Sequence, residues 1–218
     1  MKQIVVIGCG RFGSSLAITL EKLGNEVMVI DKDEEKINSI SNKVTHAIIA
    51  DIRLEGTMQE LGVSNFDICI ISTSSDYETS IIATVEAKKV GIAKIISKAK
   101  DDTQAMVLKR VGADRVVVPE KDMGVRLANN ISNSNIIDSI NLSDEYSLVE
   151  IAPIPDWIGK SILEADIRKK HSVNIVAIKN TNSALEINIS SNYKIKKSDI
   201  LLVAGKNETI SKLVANEV

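Results

Sequence analysis

Short apolar, mostly β-branched runs alternate with amphipathic stretches over residues 1–120. The runs are Ile4–Ile7, Val27–Ile30, His46–Ala50, Ile68–Ser72, Lys94–Ser97 and Arg115–Val118. Stretches with helical spacing begin between them near Gly13, Asp33, Leu54, Asp76 and Asp101. Asp33, Asp76 and Asp101 predict helix N-caps, because their carboxylates accept from the free amides of a first turn. Runs that are apolar on both faces and separated by helices predict a parallel sheet wound by right-handed crossovers. The expected fold class is therefore α/β, a doubly wound parallel sheet.

A further helical stretch covers Asp122–Ile131, and the polar segment 132–135 then loosens the pattern. Ile136–Leu142 is apolar every few residues, which predicts a connecting helix. From Tyr146 the rhythm changes. Ser147–Ile151, Val173–Ile178, Leu185–Ile189 and Ile200–Val203 predict strands, and Ser161–Arg168 and Glu208–Val214 predict helices. Strands that follow one another across polar turns such as Asn180–Ser183 predict a small α+β domain. The expected division is residues 1–134, with a crossover helix at the end, and residues 135–218.

The length of 218 residues suits two domains of ordinary size better than one. Hydrophobic residues at 44% supply a core, and aromatics at 3% leave Ile, Val, Leu and Ala to pack it. The net charge is −2 with both signs interspersed. That argues against a nucleic-acid partner and against a basic membrane-binding face. Cys9 and Cys69 lie in or beside apolar runs, as reduced buried thiols of a cytoplasmic protein do. Met1-Lys2-Gln3 leads directly into a strand, so no signal peptide is expected. No apolar run approaches the ~20 residues of a membrane-spanning helix. Any membrane role is expected to come through a partner.

The first strand ends in a G-x-G-x-x-G loop at Gly8, Gly10 and Gly13, and Asp31 ends the second strand. This spacing, between a strand and a helix with an acid about 20 residues on, is the Rossmann fingerprint. Gly8 serves the tight turn. A side chain at position 10 would hold a phosphate away, and Gly13 lets the helix pack on the strand. Free amides at the helix start then face the anion, and Asp31 accepts from the ribose hydroxyls. Arg11 places a guanidinium inside the loop. Bidentate contact with terminal phosphates favours ATP or ADP over a dinucleotide; a solvated surface arginine is the other reading. Thr73 and Ser74 close the fourth strand at the carboxyl edge, where contact with a ligand and a plain turn role fit equally.

Equipment for catalysis is missing from the pattern. His46 lies in the third strand as a structural residue, and His171 follows a basic turn in the second domain. No nucleophile–base set or metal-spaced cluster stands out. A sensor rather than an enzyme is expected. An NAD(P)-dependent oxidoreductase and a nucleotide-free scaffold are the alternatives.

The segments IGCGRFG, ADIRLE, SKAKD, GADRVVVPEKDMG and NLSDEYSLVE resemble the RCK family, regulators of potassium conductance built from TrkA-N and TrkA-C domains. The resemblance spans the whole chain and points to gating subunits of Ktr and Trk potassium uptake. It implies a homodimer that assembles into a homo-octameric ring beneath a membrane pore subunit of the KtrB or TrkH kind. Such a protein is cytoplasmic and peripheral at the inner face of the plasma membrane. ATP is implied to favour an activating ring and ADP an inactive one, with NAD(H) bound by some relatives. By position, Gly8, Gly10, Arg11, Phe12 and Gly13 form the phosphate loop. Asp31 and Lys32 meet the ribose, and Asp51 and Ile52 flank the adenine. Lys98 and Glu120 lie nearby, Glu120 helping to hold a cation at the dimer interface. The second domain resembles TrkA-C, in which some relatives bind cyclic di-AMP. Ile162, Arg168 and Asn174 then supply apolar packing, a phosphate contact and a base-edge contact. The chain departs from those relatives in having no proline in Ile189–Ile195, and Ser198-Asp199 where Gly-Asp is usual.

Overall fold

The computed structural model describes residues 1–73, 76–132, 136–143, 145–180 and 184–215. Contacts divide the chain into two compact units, Met1–Asp122 and Met123–Val218. The domain boundary expected between residues 134 and 135 lies outside the described residues.

The first unit is a six-stranded parallel sheet. Its strands are β1 (Gln3–Ile7), β2 (Glu26–Asp31), β3 (His46–Ile49), β4 (Ile68–Ile71), β5 (Lys94–Lys98) and β6 (Arg115–Val117). They lie in the order β3-β2-β1-β4-β5-β6, the doubly wound Rossmann arrangement. The order reverses between β1 and β4, so the crevice for a ligand opens at their carboxyl ends. The helices are α1 (Arg11–Lys22), α2 (Glu34–Ile40), α3 (Thr57–Glu60), α4 (Tyr77–Lys89) and α5 (Asp102–Arg110).

Alternation along β1 sorts the core into two layers. Val5 and Ile7 face a cluster with Ala83, Ala87 and Leu108 of α4 and α5. Ile4 and Val6 face one with Ala17, Ile37 and Ile40 of α1 and α2. The expected caps are in place: Asp33, Asp76 and Asp101 accept from the amides of Lys36, Thr79 and Gln104. The helix expected near Leu54 is a single turn starting at Thr57. Left-handed glycines confine it on both sides, Gly56 at φ +85° and Gly62 at φ +65°.

Helix α6 (Pro119–Ser132) crosses the division between the units. The second unit holds β7 (Ile136–Asn141), β8 (Tyr146–Ile151), β9 (Asn174–Lys179), β10 (Leu185–Glu186) and β11 (Ile200–Lys206). They form one antiparallel sheet in the order β10-β9-β11-β8-β7. Helices α7 (Ile162–Ala165), α8 (Ile167–His171) and α9 (Asn207–Ala215) accompany it. Trp157, Ile151, Ile178, Leu201 and Val203 are buried at its core.

Two expectations are corrected here. Ile136–Leu142 is not a connecting helix; β7 pairs with β8, Ile136 opposite Ile151 and Asn141 opposite Ser147. A register shift between Ile136 and Asp138 interrupts the strict alternation of a strand, which is why the apolar spacing looked helical. The single helix expected over Ser161–Arg168 is two short ones. Asp166, at φ +46°, breaks the run in the left-handed region. Among the described residues, no helix is long and apolar enough to cross a membrane.

Candidate nucleotide-binding site

The three loop glycines meet different surroundings. Gly8 has φ +98°, and a Cβ there would stand 2.7 Å from Thr73 Cγ2. A Cβ on Gly13 would stand 2.0 Å from the Gly8 carbonyl oxygen. A Cβ on Gly10 would meet nothing within 4 Å. Thus Gly8 and Gly13 are required by the protein's own packing, whereas Gly10 borders open space. Gly10 also caps α1 without a side chain, and its carbonyl receives the Ser14 amide. The amides of Arg11, Phe12 and Gly13 open α1, and such first-turn amides have no intrahelical partner. They make an anion cradle together with the helix dipole.

Neighbouring strands hold the loop in place. The Gly8 amide donates to the Ile30 carbonyl at 2.7 Å. Ser72 Oγ donates to the Gly8 carbonyl at 2.6 Å and reaches that of Ile7 at 3.2 Å. Asp31 accepts the Cys9 amide at 2.6 Å on one carboxylate oxygen and the Asp33 amide at 3.0 Å on the other. Each oxygen retains acceptor capacity for a hydroxyl.

One cleft unites Gly8, Gly10, Asp31, Lys32, Asp51, Ile52 and Thr73. Ser74 lies outside the described residues. The same cleft is lined by Lys36, Ser72, Asp76 and Thr79, which the sequence did not assign to a site. Asp76 was visible only as a helix cap and Ser72 only as a strand residue. Thr79 carried no signal at all, since its role depends on which wall α4 forms. At the β3 end, Arg53 holds Asp51 through a 2.5 Å ion pair. The Arg53 side-chain hydrogen bond keeps the Asp51 carboxyl low, at about 2.

Lys98, Phe12 and Glu120 gather as a second cluster. Lys98 Nζ lies 5.4 Å from the centre of the Phe12 ring and 2.6 Å from Glu120 Oε1. Its side chain is 11% exposed, so the ammonium is held rather than left in water. The Lys98 hydrogen bond is the first cause of a lowered Glu120 pKa, and Arg11 adds to it. Arg11 therefore lies within electrostatic reach of this cluster. Among the described residues, no group of three His, Cys, Asp or Glu side chains stands ready for a metal. Glu120 in one chain supplies only one carboxylate, so a bound cation would need oxygen ligands from elsewhere.

Both cysteines are buried and free of disulfides. Burial pushes the Cys69 thiol up to about 12, and burial followed by the Asp31 charge raises that of Cys9. Neither is a poised nucleophile. His46 stands on β3 at 3.8 Å from Glu26, and His171 packs edge-on against Trp157. In the second unit, Ile162, Arg168 and Asn174 line one groove with Leu163 and Ser191.

Sheet order and loop together define a Rossmann-type nucleotide-binding unit joined to an antiparallel α+β unit. Residues 4–119 match the TrkA-N domain and residues 147–216 the TrkA-C domain. The chain belongs to the TrkA-N/TrkA-C family. It is 39% identical over 211 residues to Ktr system potassium uptake protein C of Bacillus subtilis (strain 168), covering 97% of this chain and 95% of the relative. Ktr system potassium uptake protein A of the same organism is 36% identical with the same coverage. Among solved structures, the GsuK channel bound to NAD aligns with a TM-score of 0.55 at 21% identity. That alignment covers 99% of this chain and 38% of the channel, so it shows the fold alone. The TrkA-N domain of inner membrane protein ybaL from Escherichia coli aligns at 0.54 and 19% identity, over 59% of this chain and 95% of that one.

Proposed function

We propose that this chain is the nucleotide-responsive gating subunit of a potassium-uptake system. The carrying observation is the open space at Gly10, beside first-turn amides and in one cleft with Asp31 and Thr73, in a chain similar along its length to the Ktr proteins. The phosphates rest on the amides of α1, Asp31 and Lys32 hold the ribose, and Asp51 and Ile52 flank the adenine. Arg11 reaches the terminal phosphate from a neighbouring subunit. A γ-phosphate adds charge that only ATP presents, and that differential contact is what shifts a two-state assembly. ATP favours the activating form of an octameric ring and ADP the inactive form. A membrane pore subunit is the partner, and it places the ring at the inner face of the membrane. A cation between subunits takes Glu120 from each side and relieves its contact with Lys98.

The test is calorimetry with ATP, ADP and NADH, with particle mass measured in parallel. Wild type is expected to bind ATP and ADP without turnover and to form a multi-subunit assembly. Arg11→Ala is expected to lose about tenfold in ATP affinity and much less in ADP affinity, the weight of a charge-assisted contact. An ATP-to-ADP ratio that is the same in both proteins contradicts the assignment of Arg11.

The groove at Ile162, Arg168 and Asn174 supports a second ligand, cyclic di-AMP. Apolar side chains there pack a base, and one guanidinium meets a phosphate. Arg168→Ala is expected to abolish heat of binding for cyclic di-AMP while leaving ADP binding unchanged.

A further inference from the structure

A cavity of about 620 Å³ opens in the second unit, with a lining distinct from that of the groove at Ile162, Arg168 and Asn174. Its size lies within the roughly 300–1,000 Å³ of small-molecule sites. Three elements build it. The 3-10 turn Pro155–Trp157 and the residue before it contribute Ile154, Pro155 and Asp156, and α8 contributes its last residue, His171. Helix α9 contributes Thr209, Lys212 and Leu213, whose spacing of three and four residues puts them on one face. Ile154 and Leu213 pack in the same apolar cluster as Trp157, so part of the wall is hydrocarbon.

The polar part of the wall narrows what fits. Asp156 and Lys212 are exposed and carry opposite charges. Among the described residues neither has a hydrogen bond or an ion pair, with the other or with any third group. One carboxylate and one ammonium on a shared cavity, too far apart to pair, leave a place for a molecule that carries both charges. A bare anion such as phosphate would meet Asp156, and a diamine would meet Lys212; like charges brought together oppose binding. A zwitterion avoids both conflicts. His171, whose ring stands edge-on to Trp157 with centroids 5.5 Å apart, and Thr209 each add a donor and an acceptor.

We propose that this cavity binds a small zwitterion of the α-amino acid class with an apolar side chain. The ammonium meets Asp156, the carboxylate meets Lys212, and the side chain rests on Ile154, Pro155 and Leu213. The site lies in the second unit and stands without the nucleotide reading. Titration of the full chain with L-leucine, L-methionine and L-phenylalanine tests it, followed by Trp157 emission and by calorimetry in parallel. Isocaproate, which is leucine without its ammonium, and isoamylamine, which is leucine without its carboxylate, are the one-ended controls. A saturable response to at least one amino acid is expected, with each control about tenfold or more weaker than L-leucine. Asp156→Asn is expected to lose about tenfold in L-leucine affinity and nothing in isocaproate affinity, and Lys212→Met to lose about tenfold for L-leucine and nothing for isoamylamine. Both variants change exposed side chains, so both are expected to melt and to bind ADP like wild type. No saturable response to any of the three amino acids overturns the proposal. So does a one-ended control that binds as tightly as L-leucine, or an L-leucine affinity that neither variant changes, because the molecule is then held by other groups.

Discussion

Gly10 and Gly13 stand three residues apart and need glycine for opposite reasons. Gly13 has no room, since its Cβ would lie 2.0 Å from the Gly8 carbonyl, whereas Gly10 has room to spare. Gly13→Ala is expected to destabilise the fold by about 1–3 kcal/mol, the usual cost of overpacking. Gly10→Ala is expected to melt like wild type yet bind ADP about tenfold or more weakly, because its methyl occupies the phosphate approach. Thermal melts paired with calorimetry separate the two effects; a Gly10→Ala protein that binds normally removes the phosphate from this loop. Asp51 carries a prediction in pH. Its pKa is depressed to about 2 by Arg53. Its stabilising contribution is therefore complete above the ordinary carboxylate value of about 4 and is lost as pH falls toward 2. Carboxyl NMR is expected to find the Asp51 midpoint near 2 in wild type and raised toward the ordinary carboxylate value in Arg53→Ala, where the amide of residue 53 still donates to Asp51. A midpoint that does not move in the variant assigns the shift to something other than the guanidinium.

Helix starts and the strands of the first unit were both legible at the scale of elements. An N-cap is a contact across three residues, so Asp33, Asp76 and Asp101 could be picked out from spacing alone, and each accepts the amide expected of it. Asp101→Ala, which removes a 2.8 Å bond to the Gln104 amide, is expected to cost about 1 kcal/mol in urea unfolding. An unchanged midpoint would mean that water replaces the cap at no loss. The buried strands β1–β6 were local apolar runs, but β7 carried no such signature. Ile136–Asn141 becomes β7 because β8 offers it a ladder, and the register shift at Ile136/Asp138 erases the period that would have revealed it. Asp166 likewise adopts a left-handed conformation that its residue type only tolerates, and the helix pattern over Ser161–Arg168 gave no warning of it.

At the scale of the whole molecule, the two units allow the ligand to be located. Trp157 is the chain's single tryptophan and is 1% exposed in the second unit. Its emission therefore follows that unit, while ellipticity follows both. ADP at a hundredfold above its Kd is expected to add about 2.7 kcal/mol to the stability of the state that binds it. A shift in the ellipticity melt larger than that in Trp157 emission is expected; a Trp157 melt that moves as far as the ellipticity melt would move the ligand to the second unit. Local sequence encodes the alternating α/β rhythm, the glycine loop, the acid at the end of β2 and the caps. All of these are encoded in residues close together along the chain, where backbone geometry and spacing suffice. Only the tertiary structure decided that β4 lies beside β1, and so brought Ser72 to brace Gly8 and carried α4 to the cleft wall. It alone paired Lys98 with Glu120. Contacts of that kind join residues far apart in the chain, and no local pattern records them.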